Sequence, residues 1–301
     1  MSIPPNPSRE YPSTYFVQDR ANQTELQRLL IQDHMLTASM GGIFPEQPDP
    51  SAFRRVLDIG CGPGGWLLEA AHAYPALSLV GIDISQSMID YARAQAEAQQ
   101  VQQQVEFQVM DALLVLAFPS RHFDLVNLRL GSSFMRTWDW PKLLSEMTRV
   151  ARPRGIIRIT DMEVEAQSTS PALTRLYECF ECALYRSGHL FTQEPDGLTA
   201  HLQRLLIQAS CQEVKTKSYA LEYRAGTPQG ESCYEDAKHI FSTLRPFIHK
   251  WGCAGETYDQ LYQQMLHEMQ QPDFHGTWKL LTAWGIRPPM QETANTIMRD
   301  R

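Results

Sequence analysis

The sequence lacks several features that would place it in particular protein classes. No apolar run approaches the roughly 18 residues that a transmembrane helix needs, so we expect no membrane span. Residues 1–15 are polar and rich in proline, without the apolar core of a signal peptide. Runs of lysine and arginine are also missing, and the 301 residues carry a net charge of −7. These absences predict a cytoplasmic protein that does not bind nucleic acid through a basic surface.

Cysteine is sparse, and its six positions (61, 179, 182, 211, 233 and 253) are scattered along the chain. Cys179 and Cys182 form a C-x-x-C pair, but a structural zinc site needs four ligands and no second pair exists. A thiol site for a soft metalloid such as arsenite is the weaker alternative. We therefore expect no metal site, and in a cytosolic protein we expect reduced thiols.

The most informative segment is residues 56–66, which read Val-Leu-Asp-Ile-Gly-Cys-Gly-Pro-Gly-Gly-Trp. An apolar run, a carboxylate and a glycine-rich turn before a helical pattern predict a strand, a tight loop and a helix. Glycines allow the backbone to approach a ligand closely, and the amides at the start of a helix favour anionic groups. Gly60, Gly62 and Gly65 match the dinucleotide pattern G-x-G-x-x-G, but this match alone is weak evidence.

Polar residues also follow the next predicted strands, and strands alternate with helices up to residue 160. The strand-end residues are Asp58, Asp83 after 79–82, Met110-Asp111-Ala112 after 105–109, and Asn127 after 123–126. This alternation predicts a parallel sheet with helices on both faces and a ligand at its carboxyl edge. With these motifs in this order, the chain resembles the class I S-adenosylmethionine-dependent methyltransferases, most closely the small-molecule branch similar to the UbiE and LaeA types.

The resemblance covers roughly residues 50–225 and implies an α/β fold with a doubly wound, mostly parallel, Rossmann-like seven-stranded sheet. The expected domains are an N-terminal arm and cap helix (1–49), a cofactor-binding core (50–226), a helical cap insertion (227–272), and a last strand with a tail (273–301). Residues 278–284 are expected to form that last strand, antiparallel beside predicted strands at 156–160 and 213–223. The helices of the insertion and of the N-terminus would then roof the substrate pocket.

The resemblance also implies S-adenosyl-L-methionine as the cofactor and assigns residues to it. Gly60, Gly62 and Gly64, with Cys61 between them, would bend beneath its methionine part. Asp58 would accept from its ammonium group, although a loop-bracing role remains open.

The nucleoside part of the cofactor has its own expected contacts. Asp83 lies 23 positions after Gly60, where a carboxylate can accept both hydroxyls of a ribose. Ile84 and Met88 would flank the ribose and adenine, although for Met88 core packing is equally plausible. Met110, Asp111 and Ala112 would lie at the adenine, and Asn127 would lie opposite the sulfonium. Asp111 could also cap a short helix beginning near Ala112. Of the N-terminal aromatic residues Tyr11, Tyr15 and Phe16, Tyr15 is the expected contact, and ordinary packing is the alternative.

The predicted function is transfer of a methyl group to a small, apolar or aromatic metabolite by in-line displacement. No catalytic residue is assigned, although His189, His239 and His249 lie in the predicted roof; oligomeric state is not predicted. Aromatic residues at 177, 180, 185, 191, 241, 247 and 251 suggest an apolar acceptor, but helices packed on a core have the same composition. An NAD(P)-dependent oxidoreductase and a non-catalytic methyltransferase-like binding protein are the alternatives. A nucleic-acid methyltransferase is disfavoured, because Asn127 is not followed by Pro-Pro-Tyr.

Overall fold

The computed structural model describes residues 15–16, 23–165 and 167–289. Its helices are α1 Gln23–Met40, α2 Gly65–Ala73, α3 Gln86–Ala98, α4 Trp140–Val150, α5 Pro171–Arg186, α6 Thr199–Gln208, α7 Pro228–Thr243, α8 Arg245–Lys250 and α9 Tyr258–Glu268. Its strands are β1 Arg55–Ile59, β2 Ser78–Asp83, β3 Val105–Val109, β4 Phe123–Arg129, β5 Ala151–Met162, β6 Gln167–Ser168, β7 Gln212–Arg224 and β8 His275–Ile286. Within these residues no helix is both long and apolar enough to cross a membrane.

The strands form one sheet in the order β3-β2-β1-β4-β5-β8, and β6 and β7 both pair with β8. The pairs from β3 to β5 are parallel, whereas β8 is antiparallel to β5 and to β7. The expected doubly wound α/β fold and its antiparallel last strand are confirmed. The sheet has eight strands rather than seven, because the two residues of β6 add a short pair beside Thr277 and Gly276 of β8.

Both faces of the sheet are buried, as its near-continuous apolar strands require. In β1, Leu57 and Ile59 join the apolar cluster that includes α4, α5 and α6. Val56 joins a second cluster that includes residues of α2 and α3. With both faces covered, a ligand can approach the parallel strands only at their ends.

Helix α1 is attached to the core by polar contacts. Asp33 accepts a hydrogen bond from the backbone amide of Trp66 at 2.9 Å, which satisfies one of the unpaired amides at the start of α2. The same carboxylate forms an ion pair with Arg129 at the end of β4.

The expectation that all six cysteines are reduced is wrong for two of them. Cys182 of α5 and Cys253, just after α8, form a disulfide, and their Cα atoms are 5.9 Å apart. The two residues are 71 positions apart in sequence and become neighbours only when the cap helices pack. The other four cysteines are free and buried.

A buried ion pair on the interior strand β5 is expected to be important for stability. Arg158 of β5 donates to Glu46 at 2.6 Å, and both side chains are almost completely inaccessible to solvent. Replacing Arg158 with Met leaves Glu46 buried without its cation, so we expect the free energy of unfolding to fall by about 3–5 kcal/mol. Denaturant titration measures this change.

The double variant Arg158→Met/Glu46→Leu should recover much of the lost stability, because no buried charge is then left unpaired. Arg245→Met is the matched control, since Arg245 and Asp259 form an ion pair in which both side chains are largely exposed. Its cost should stay below about 1 kcal/mol. Equal costs for Arg158→Met and Arg245→Met would contradict the prediction.

Candidate functional site

A cavity lies at the carboxyl ends of β1, β2, β3 and β4, under helices α1, α5 and α7. All but two of the predicted cofactor residues line it: Tyr15, Asp58, Gly60, Cys61, Gly62, Asp83, Ile84, Met88, Met110, Asp111 and Ala112. Gly64 and Asn127 do not. The strand-end motifs are therefore adjacent in space, as their positions in the sequence predicted.

The glycine loop has two kinds of glycine. Gly62 has a φ of +53°, and a Cβ added to it would meet no atom within 4 Å, so its backbone faces open space. Gly64, with a φ of +81°, begins α2, and a Cβ there would lie 2.6 Å from the ring of Phe107. Gly64 is therefore required for packing between α2 and β3 and does not line the cavity, and its contact with the cofactor stays a prediction.

Asp83 is oriented by the backbone of two loops. Its Oδ2 accepts from the amide of Gly62 at 3.0 Å, and its Oδ1 accepts from the amide of Ser85 at 2.8 Å. An ionised carboxylate has about four acceptor positions, so Asp83 can also accept hydroxyl groups. This geometry joins the glycine loop to the end of β2 through one side chain.

Asp58 is buried at the end of β1 and is held by a chain of polar contacts. Its Oδ1 accepts from the side-chain amide of Asn127 at 2.8 Å, and Asn127 accepts in turn from Arg158 at 2.8 Å. Burial raises the pKa of Asp58 to about 7, although the Asn127 hydrogen bond and the Arg158 charge oppose this shift; the nearby Asp83 adds to it. Asn127 is fully buried. Its side chain therefore orients Asp58 and is not part of the cavity lining, and its position opposite a sulfonium stays a prediction.

Asp111 closes a tight turn after β3. Its Oδ1 accepts from the amide of Leu113 at 2.8 Å, and the chain there forms a turn rather than the expected short helix. The amide of the preceding Met110 donates to the carbonyl of Asp83 at 2.9 Å. These contacts fix the β3 loop against the end of β2, and both loops line the cavity.

Tyr15 and Phe16 line the cavity from the N-terminal arm, whereas Tyr11 lies outside the described residues. The hydroxyl of Tyr15 donates to Glu25 of α1 at 2.6 Å. Phe16 packs edge-on against Phe180 of α5 at a ring-centroid distance of 5.3 Å. The arm therefore contacts both the cap helices and the cavity.

The three histidines in the predicted roof do not line the cavity. His189 is buried and is hydrogen-bonded to Ser187 at 2.7 Å. His239 lies beside Glu235, and His249 beside Tyr258. Of the predicted roof aromatics, only Tyr177, Phe180 and Phe241 reach the cavity, so sequence alone overestimated the aromatic surface.

Sequence reasoning missed the charged residues that the cap helices contribute to the cavity. Arg28 of α1 and Asp236 of α7 both line it and form an ion pair at 3.2 Å. They are separated by 208 positions, and neither lies in a recognisable motif. In the described part of the chain, no group of three or more His, Cys, Asp or Glu residues could hold a metal ion.

Comparison with known proteins identifies the class. A model described as a methyltransferase domain matches residues 56–155. The demethylmenaquinone methyltransferase of Deinococcus radiodurans is 31% identical over 178 residues, which cover 58% of this chain and 71% of that protein. The ajmaline N-methyltransferase of Rauvolfia serpentina is 35% identical over 138 residues, covering 44% of this chain but only 46% of that protein.

A solved structure also matches the fold. The phosphoethanolamine N-methyltransferase 2 of Haemonchus contortus, in complex with phosphomonomethylethanolamine and S-adenosylhomocysteine, has a TM-score of 0.51 and 21% identity. The match covers 91% of this chain and 60% of that one. The chain belongs to the class I S-adenosylmethionine-dependent methyltransferases, and it is an enzyme that uses S-adenosyl-L-methionine.

If Asp83 accepts the ribose hydroxyls, replacing it with Ala should weaken the binding of S-adenosylhomocysteine by about 1–3 kcal/mol, the usual scale for lost hydrogen bonds to a charged or buried group. Isothermal titration calorimetry measures this change. Asp90→Ala is the matched control, since Asp90 is an exposed carboxylate on α3 that pairs with Arg93. Unchanged affinity in Asp83→Ala would refute the ribose assignment.

Proposed function

We propose that this methyltransferase acts on a small, mainly apolar or aromatic acceptor bound beneath its cap helices. The observation that carries the proposal is a single cavity with two chemically different linings. Strand-end carboxylates and the glycine loop form one, and the apolar residues Tyr177, Phe180, Leu184, Ile240, Phe241 and Trp278 form the other. The first lining suits a polar cofactor, and the second suits an acceptor with little polar surface.

The residues of the strand ends fit S-adenosyl-L-methionine. The open space beside Gly62 allows close approach of a ligand to the backbone. Asp58 presents a buried carboxylate, and among the described residues no cationic side chain is hydrogen-bonded to it. Asp58 would hold the ammonium group, Asp83 the ribose, and the loop from Met110 to Ala112 the adenine. When bound, the cofactor supplies a methyl group that is already activated by a positive sulfur.

The protein's contribution to the reaction is to position the acceptor and exclude water. Residues of α1, α5 and α7 line the cavity, and the N-terminal arm adds Tyr15 and Phe16. Arg129 lines the cavity together with Asp33, and the ion pair between them adds no net charge to its wall. This arrangement favours a neutral acceptor over an anionic one.

The names of the relatives support a small-molecule acceptor without selecting one, since a demethylmenaquinone methyltransferase and an ajmaline N-methyltransferase are both similar to the chain. No observation favours the oxidoreductase alternative or a non-catalytic binding protein. The cytoplasmic location and the absence of nucleic-acid binding stay predictions.

The role of Asp58 predicts a pH dependence of cofactor binding. Its pKa is raised to about 7, and a cationic ammonium group binds the ionised carboxylate. As the pH falls below 7, Asp58 takes up a proton and the affinity for S-adenosylhomocysteine should fall, approaching tenfold per pH unit. Calorimetry from pH 5 to 8 measures this dependence. Asp58→Asn should bind weakly with a flat profile, and equal slopes in the two proteins would contradict the role.

The acceptor class is tested directly by measuring S-adenosylhomocysteine release with a panel of small molecules. The panel contains hydroxylated aromatics, apolar amines, phosphorylated metabolites and an oligonucleotide. We expect release, and products heavier by one methylene unit in mass spectra, from the apolar members alone. Asp83→Ala is expected to lower the rate, and Asp90→Ala to leave it unchanged. Turnover confined to the phosphorylated molecules or the oligonucleotide would overturn the proposed acceptor class.

A further inference from the structure

A buried ionic network lies in the roof of the cavity. Arg28 of α1 donates through Nε and Nη2 to the two carboxylate oxygens of Glu25, at 2.9 and 2.8 Å. Its Nη1 donates to Oδ1 of Asp236 on α7 at 3.2 Å. The side chains of these three residues are at most 2% exposed. Arg28 is therefore shared by two carboxylates, and the network carries a net negative charge when both are ionised.

The second oxygen of Asp236 is the unusual atom of this network. Asp236 lines the cavity, yet its Oδ2 is buried and accepts a hydrogen bond from no described residue. A buried carboxylate oxygen without a donor loses its hydration and gains nothing in return, so such atoms are rare in native structures. A donor brought by a ligand in the cavity would remove this penalty.

The aromatic residues that line the same cavity restrict that donor. Tyr177 and Phe241 pack edge-on at a ring-centroid distance of 5.1 Å, Tyr177 packs in the same way on Trp278, and all three line the cavity. An anionic ligand group there would meet apolar walls and the net negative charge of the network. A flat, neutral molecule with one polar hydrogen fits both features.

We propose that Asp236 Oδ2 accepts the hydrogen bond of a hydroxyl group on an aromatic acceptor and takes its proton during methyl transfer. This inference rests on the proposed function and specifies the acceptor as a phenol-like molecule. In the step, the O–H bond breaks and its proton goes to Oδ2, while an oxygen–carbon bond forms to the methyl group. The carbon–sulfur bond breaks, its electron pair returns to sulfur, and S-adenosylhomocysteine leaves.

The charge state of Asp236 agrees with this role. Burial raises its pKa to about 6, against the opposing charge and hydrogen bond of Arg28, and Glu25 adds to the rise. The titratable groups that face it are Glu25 and Arg28 of α1, Tyr177 of α5, Tyr223 of β7 and Cys233 of α7. Asp236 is therefore mostly ionised at neutral pH and able to receive a proton.

The test compares two probes, 2-naphthol and naphthalene, which differ in one hydroxyl group. Each is titrated at pH 7.5 into the protein saturated with S-adenosylhomocysteine. The wild-type protein should bind 2-naphthol at least tenfold more tightly than naphthalene, because only the naphthol can donate to Asp236. In Asp236→Leu this preference should fall below threefold, while the affinities for naphthalene and S-adenosylhomocysteine stay unchanged.

Two further measurements separate this role from a structural one. The preference for 2-naphthol in the wild-type protein should rise as the pH increases through about 6, where Asp236 ionises, and Asp236→Asn should show no such rise. Glu235→Gln is the matched control, because its side chain is partly exposed beside Lys238 on the same helix. It should retain the full preference.

The outcomes are distinct. A wild-type preference below threefold, or the same preference in wild type and Asp236→Leu, overturns the inference; the second result would indicate a water or another residue at Oδ2. If the wild-type protein fails to bind S-adenosylhomocysteine, the proposed function fails, and this inference fails with it. Cofactor binding without discrimination between the probes overturns the role of Asp236 alone.

Discussion

The structure depends on keeping carboxylates ionisable where water is excluded. A buried carboxylate is costly unless it is paired or hydrogen-bonded, and a carboxylate that is fully paired has little capacity left for a ligand. The strand ends satisfy both requirements through indirect contacts. Asp58 is hydrogen-bonded to Asn127, and the positive charge of Arg158 lies one residue further away. The carboxylate is thereby oriented without being neutralised.

The roof repeats this arrangement with different residues. In the sheet, Arg158 is shared between Asn127 and Glu46; in the cap, Arg28 is shared between Asp236 and Glu25. In each case a glutamate that does not line the cavity balances the arginine, and the aspartate that does line it is not fully balanced when it ionises. The two networks border one cavity from opposite elements of the fold. A cationic cofactor complements the charge that they leave.

The sequence was sufficient to predict the features that depend only on residues close to each strand. The glycine loop and the strand-end carboxylates occur within a few residues of each strand, so their adjacency follows once parallel strands are predicted. The sequence did not reveal the packing of Gly64 on Phe107 or the contact of Asn127 with Arg158, and it did not reveal the Cys182–Cys253 disulfide. Each of these contacts joins residues that are distant in sequence. Asp236 could not be found, since a single aspartate on a helix has many uses.

Helix α1 shows why hydrophobic periodicity is a poor guide beside a ligand cavity. Its leucines at 26, 29 and 30 are only partly buried, whereas Glu25, Arg28 and Gln32 are buried. Beyond them Met35, Leu36 and Met40 form the ordinary apolar contact with the core. The first half of the helix therefore presents its polar face inward, the reverse of a helix that packs only on a core. Such a face is stable only where every charge finds a partner, and most of these partners come from the Tyr15 arm, α7 and α1 itself. The buried charges of α1 are therefore satisfied only when α1 and α7 pack on each other in one arrangement. That arrangement also sets the shape of the acceptor cavity above the strand-end carboxylates.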